Sequence, residues 1–357
     1  MRVGAWCGFL WWLERLDADG RDGQYGVTTK ILTDPLSTID SMSSQALDSR
    51  LDCHIASDSE RAVSFGNVYE CWGDGRPVDE YVASRMVSVQ HARASWWVGC
   101  IGTTVVASLG TFPIVLRAGG VSCPGFAVGA VYTRPEHRRR GHAATLMRWV
   151  ERQQLAGGAQ FGLLYSDINP DYYAAMGYRL CDSHYAWAVP DSNPQPRPLA
   201  GRFQEFDPSE QAGRLAEMYV SFQSSRSVWI ERDGEYWDWL RGRYPDHEWH
   251  WWLSEGSEVP TGYVQLKADA SETRVLDWGV IGEGVERAFW ETLVGWSAER
   301  GVSRIGGWLP ASEAVSGCFE VERREIELTM LSPLTSEAFW SDELVRDAGW
   351  FAECDHV

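Results

Sequence analysis

The chain has 357 residues, 44% of them hydrophobic and 23% charged, a composition that excludes wholesale disorder and predicts a soluble globular protein. At about 150 residues per domain, the length predicts two domains. The 32 basic and 50 acidic residues leave a net charge of −18, which repels phosphate backbones, excludes nucleic acid as an expected partner and favours a cationic small molecule.

The 20 tryptophans are read as core fillers. The eight cysteines form no Cys-x-x-Cys pair, which disfavours zinc ribbons and redox motifs; they are read as mostly buried, reduced thiols of a cytoplasmic protein. No apolar run is long enough for a membrane helix. The stretch Ala5 to Leu13 is broken by glycine and followed by Asp17, Asp19 and Asp22 without a small-residue cleavage site, so a signal peptide is not expected. Residues 1–41 are read as a poorly ordered appendage, with Met42 as an alternative start.

Regular patterning begins at Leu51. A strand is predicted over 51–56, then a helix capped by Asp58 or Ser59 and running to Trp72. A second helix is predicted over 78–91, with Val82, Met86 and Val89 on one face. Strands are expected over 95–101, 103–112 and 125–133. A helix over 141–156 presents Ala143, Leu146, Met147 and Val150 at helical spacing. The apolar run 161–166 reads as a buried strand. A short helix over 169–176 ends at Gly177, and a strand follows over 178–189. The proline-rich stretch 192–201 reads as a linker. Beyond it, helices are expected over 209–222 and 285–300, and strands over 262–267, 273–278 and 304–309. The domain reading is therefore 42–191 and 202–357 on either side of that linker.

The chemistry concentrates between Phe126 and Tyr178. Pro135-Glu136-His137-Arg138-Arg139-Arg140-Gly141-His142-Ala143-Ala144 leads from a strand through a basic, glycine-bearing turn into a helix. Free N–H groups at a helix start, the helix dipole and clustered arginines make an anion site, and Gly141 lets backbone approach a phosphate. Such positive charge in an acidic protein points to a phosphorylated ligand.

Arg138-x-x-Gly141-x-Ala143 resembles the signature of the GNAT acyltransferase superfamily. Val131-Tyr132-Thr133-x-Pro135 is placed as in that family's fourth strand, and Asn169-x-x-x-Tyr173-x-x-x-Gly177-Tyr178 is similar to its Asn…Tyr-x-x-x-Gly-aromatic element. The resemblance implies an α/β GNAT fold, a mixed and mostly antiparallel central sheet with flanking helices, followed by a second, degenerate GNAT-like α/β domain. It implies acetyl-CoA as cosubstrate and no metal. Arg138 belongs to the signature, and the backbone N–H groups of Arg139, Arg140, Gly141, His142, Ala143 and Ala144 would meet the pyrophosphate. Val131 and Thr133 would pair with the pantetheine arm, and Asn169 would hold its thiol end. Tyr173 occupies the position of the general acid. The family often carries a glutamate on the fourth strand as base; residues 126–131 hold no carboxylate, which leaves Asp167 as the candidate.

Leu164-Tyr165-Ser166-Asp167-Ile168 with Tyr172-Tyr173 looks like fungal lysine N6-acetyltransferases. A GNAT domain followed by a degenerate half is also similar to enhanced-intracellular-survival acetyltransferases, which use a C-terminal carboxylate near the site; residues 354–357 carry no sequence sign of this. The expected activity is acetyl transfer to a primary amine of a small cationic, lysine-like acceptor. A silent acyl-CoA sensor and a protein N-acetyltransferase are the alternatives. Glu231, Asp233, Glu235 and Asp238 among Trp229, Trp237 and Trp239 read either as a solvated helix edge or as an acidic, aromatic wall for the amine. His247-x-x-His250 lacks a third ligand, so no metal set is expected from it.

Overall fold

The computed structural model describes residues 50–73, 75–190, 200–269, 272–282, 284–335 and 339–357. Residues 1–41 and 192–199 lie outside them. The chain divides into two compact units, the first made of Met1–His91, Ser95–Gly110 and Ala130–Trp149, the second of Ala92–Ala94, Thr111–Gly129 and Val150–Val357. The strands form two mixed, mostly antiparallel sheets with helices.

In the first unit, β1 (Asp52–Ile55) pairs antiparallel with β2 (Ser95–Ile101), followed in the sheet by β3 (Thr104–Ala118) and the end of β4 (Val121–Thr133). Helix α1 (Asp58–Asn67) is capped by Ser57, one residue before the expected cap. The reason is a capping box: Ser57 N–H donates to Glu60 Oε2 at 2.8 Å while Glu60 N–H donates to Ser57 Oγ at 3.4 Å. The expected long helix is interrupted at Val68, and α2 (Tyr69–Trp72) follows. The second expected helix is likewise split into α3 (Val78–Met86) and α4 (Val89–Ala92). Phe65 packs edge-on to Trp96 at 4.7 Å and Val98, Cys100 and Val105 form a small buried cluster.

β3 crosses into the second unit and continues past Phe112, where the expected strand ended. Pro113 is exposed and precedes Val115↔Glu231, where pairing with β9 (Val228–Glu231) begins, so no ladder donor is demanded of it there. β4 pairs parallel with β5 (Phe161–Ser166) from Gly125↔Phe161 to Val128↔Leu164, after α5 (His142–Ala156) has provided the crossover. β5 matches the predicted run; its burial explains the unbroken apolar pattern. The short helix contracts to α6 (Asp171–Ala174), and the strand expected over 178–189 is two: β6 (Arg179–Leu180) and β7 (His184–Ala188).

β7 leaves the first sheet for the second, whose order is β14-β7-β13-β12-β11-β10-β8, with β8 (Gly201–Glu205), β10 (Glu248–Ser254), β11 (Gly262–Ala268), β12 (Thr273–Val280), β13 (Ile305–Gly307) and β14 (Glu320–Arg323). In return, β15 (Leu328–Pro333) inserts between β5 and β6, pairing Leu328↔Ser166 through Pro333↔Phe161. The helices of this half are α7 (Ala212–Gln223), α8 (Gly234–Arg243), α9 (Glu286–Glu299), α10 (Glu313–Ser316) and α11 (Asp342–Asp347). Trp229, Trp237, Trp239, Trp249, Trp251 and Trp340 are buried in one core, and Trp252, Trp278 and Trp290 in a second. None of the described helices is long and apolar enough to cross a membrane.

Candidate functional site

The expected cofactor residues of the first unit form one continuous element. Ala130 has a positive φ of 51°, a conformation that costs an L residue about 1 kcal/mol or more and marks a local break in β4. Downstream, Arg134 N–H donates to Val106 C=O on β3 at 3.0 Å. By strand alternation, the main-chain groups of Val131 and Thr133 face away from β3. Pairing of β4 with β5 has already stopped at Val128, although β4 runs on to Thr133. The Thr133 carbonyl is not idle: Arg138 Nε donates to it at 3.0 Å, and the Arg138 guanidinium lies 5.7 Å from the Tyr132 ring centre.

After a 3-10 turn over Pro135–His137, Arg139 and Gly141 take φ of 61° and 78°. The first helical bond of α5 runs from Thr145 N–H to Gly141 C=O at 2.9 Å, so the N–H groups of His142, Ala143 and Ala144 have no intrahelical acceptor. A Cβ built on Gly141 meets nothing within 4 Å. The side chains of Arg138, Arg139 and Arg140 are exposed around this turn. The donor set fits a phosphate: three N–H groups at a helix start, open space over a glycine and three guanidinium groups.

The second unit holds Asp167, Asn169 and Tyr173. Asn169 is exposed and its side-chain oxygen accepts Asp171 N–H at 2.9 Å, which turns the chain into α6. Tyr173 is buried, with its ring centre 5.0 Å from that of Tyr172 and 6.0 Å from that of Tyr178. Burial first, then the neighbouring Tyr172 and Asp167, push its phenol above the usual range. Burial and the nearby Glu327 push the Asp167 carboxyl up to about 6. The acid and base candidates of the sequence thus sit in one environment, with the Asp167 carboxylate raised well above its ordinary range.

Sequence reasoning missed three further features of this unit. The Glu353 side chain is 14% exposed; Oε1 is paired with Arg274 at 2.8 Å, Oε2 is buried without a partner, and burial first, with Glu327 adding, pushes its carboxyl up to about 7. In the same unit, the rings of Tyr165, Trp308 and His356 lie 4.8–5.4 Å apart, with the Arg324 guanidinium 3.7 Å from the centre of Trp308. Tyr165 Oη, Trp308 Nε1 and Arg324 Nε and Nη1 are buried and unpartnered. Finally, a Cβ on Gly129 would lie 3.2 Å from the Val357 main-chain oxygen, so the residues leading to it are brought against β4. Arg243 holds that segment through the carbonyls of Cys354 and His356 at 3.4 and 2.7 Å. These residues come from β5, the residue after β13, the β14–β15 turn and the segment 353–357, so no local motif joins them.

The acidic, aromatic wall is corrected. Trp237 and Trp239 are core residues, Asp233 caps α8, Glu231 pairs with Arg117 at 2.6 Å, and Asp238 pairs with Arg241. These carboxylates are spent on helix and strand ends, and the indoles face inward. His247 and His250 are likewise occupied, His250 with Glu248 at 3.1 Å and His247 with Gln265 at 3.3 Å. Among the described residues the seven cysteines are free, four of them buried.

Comparison with known proteins bears on the fold. The family model for the acetyltransferase (GNAT) domain matches residues 49–181. A conserved protein of Enterococcus faecalis V583 superposes with a TM-score of 0.63 at 14% identity, over 80% of this chain and 73% of its own. The GCN5-related N-acetyltransferase of Kribbella flavida gives 0.61 at 19% identity, over 81% and 72%. Eis1 of Mycobacterium abscessus gives 0.56 at 17%, over 81% and 75%. No curated protein matches the chain. Residues 49–181 are therefore similar to a GNAT acetyltransferase domain.

Proposed function

We propose that the chain is an acetyl-CoA-dependent N-acetyltransferase acting on a primary amine of a small, cationic, lysine-like acceptor, with a catalytic domain at 42–191 and a GNAT-like domain at 202–357. The observation that carries the reading is the turn 138–144, where two positive-φ residues follow a 3-10 turn and open the donor-rich start of α5. Its N–H groups and arginines would hold the CoA pyrophosphate, and Val131 and Thr133 would align the pantetheine arm, once Arg138 releases the Thr133 carbonyl. Bound there, acetyl-CoA supplies an activated thioester carbonyl.

The chain's own groups then move the protons. Asp167 takes one from the acceptor ammonium, leaving a neutral amine to attack the thioester carbon. As the thiolate departs, Tyr173 donates its proton to the sulfur and recovers one from the nitrogen of the forming amide, which returns it to the phenol. Asn169 would bond the pantetheine end. The Tyr165–Trp308–His356 rings, with the Glu327 carboxyl close by, suit an ammonium group. Arg324, with two buried unpartnered nitrogens, suits a carboxylate. An amino acid with a side-chain amine offers both charges.

The test is acceptor kinetics. Arg324→Gln is expected to raise KM for free lysine at least tenfold while leaving KM for its decarboxylated diamine within twofold. Equal effects on both acceptors, or neutral amines outrunning all cationic ones, contradicts the acceptor assignment.

A further inference from the structure

In the first unit, β1 and β2 pair with Asp52 opposite Cys100 and His54 opposite Val98. Alternation therefore puts Asp52, His54 and Cys100 on one face of the sheet. The first turn of α1 adds Glu60. His54 Nε2 lies 2.9 Å from Glu60 Oε1, and Cys100 Sγ lies 3.9 Å from the same oxygen. The three ligand atoms lie within 4.8 Å of one another, and no other such group occurs among the described residues. The carboxylate is fixed in direction, because Ser57 N–H and Oγ donate to Oε2 at 2.8 and 2.7 Å, which turns Oε1 toward the histidine and the thiol. Asp52 Oδ2 stands 3.6 Å from His54 Nδ1. Cys100 is buried, while the side chains of His54 and Glu60 are 37% and 27% exposed, which leaves an approach from solvent on their side.

We propose that His54, Glu60 and Cys100 form a zinc site, with Asp52 orienting His54. Zinc accepts imidazole, thiolate and carboxylate together, whereas magnesium and calcium take oxygen alone. Zinc–ligand bonds of about 2.0–2.3 Å place tetrahedral ligands roughly 3.3–3.8 Å apart. Two of the observed separations, 2.9 and 3.9 Å, bracket that span and the third is no more than 4.8 Å, so side-chain rotations can draw the three atoms onto one ion. On binding, the Cys100 thiol loses its proton to water and its sulfur bonds the metal. His54 carries its proton on Nδ1, facing Asp52, and offers the Nε2 lone pair. Water fills the fourth position. The ion would tie β1 and α1 to β2 at the edge of the first unit.

The full-length chain, stripped with chelator, is titrated with zinc alone and, separately, with cobalt(II). The expected result is one zinc per chain with micromolar or tighter affinity, a melting temperature that rises with zinc, and a thiolate-to-cobalt charge-transfer band. Cys100→Ser is expected to abolish the band and to weaken zinc at least tenfold. His54→Gln, at a half-exposed position, is expected to weaken zinc to a similar extent, and Asp52→Asn about tenfold. Absence of stoichiometric zinc binding, or binding that survives both Cys100→Ser and His54→Gln, overturns the proposal.

Discussion

Replacing Tyr173 by Phe removes one oxygen and leaves the ring packed against Tyr172 and Tyr178. If that oxygen protonates the leaving sulfur, kcat should fall about 10²-fold, the lower range for general acid catalysis, with acetyl-CoA affinity unchanged. Calorimetry and steady-state kinetics on the same preparation separate the two. Asp167 makes a pH-dependent prediction. Its carboxyl is raised to about 6, so the basic form is lost below that pH and kcat/KM should fall on the acid side with a midpoint near 6. Asp167→Asn should abolish that limb along with most of the rate. A limb near 7 that persists in Asp167→Asn and vanishes in Glu353→Gln would move the base to Glu353. Tyr173 and Asp167 could be nominated from the sequence because both stand within seven residues of β5. Glu353 could not, because its burial depends on residues 80 to 190 positions away.

At the scale of elements, the turn before α5 is the best-specified piece of the chain. Gly141 has φ of 78° with open space where a Cβ would project. Gly141→Asp adds a strained residue and a negative charge facing the N–H donors. Acetyl-CoA affinity should fall at least tenfold while the circular dichroism spectrum is retained; unchanged affinity would move the pyrophosphate elsewhere. β4 makes a second prediction. A methyl at Gly129 would sit 3.2 Å from the Val357 oxygen and 3.3 Å from the Phe112 ring. Gly129→Ala should therefore cost about 1–3 kcal/mol in urea unfolding, as overpacking does. Elements with strong local signals, such as β5 and α9, were read to within a residue or two. The exchange of β7 and β15 between sheets was not. A strand's partner is set by long-range register and leaves no mark in its own five or six residues. Ligands at 54, 60 and 100 escape motif reading for the same reason.

Across the second unit, Arg232 joins three distant parts of the chain. It pairs with Asp277 at 2.5 Å and with both oxygens of Asp355 at 2.7 and 3.2 Å, under the rings of Tyr219 and Trp237. Removing one partner of a buried charge set leaves the others uncompensated, at about 3–5 kcal/mol. Arg232→Met should lose roughly that much in denaturant unfolding, and a loss under 1 kcal/mol would contradict the packing described. The acidic excess acts at the same scale, since long-range attraction of a cationic acceptor is screened beyond about 10 Å at 0.1 M salt. The proposed function is acetyl transfer to an amine. The most direct test is release of free CoA thiol when the purified chain is mixed with acetyl-CoA and a panel of primary amines at two ionic strengths. Thiol should appear only with both substrates present, fastest with free lysine, and more slowly at high salt. Tight acetyl-CoA binding with no amine-dependent release from any acceptor would mark the chain as a silent binder and contradict the account.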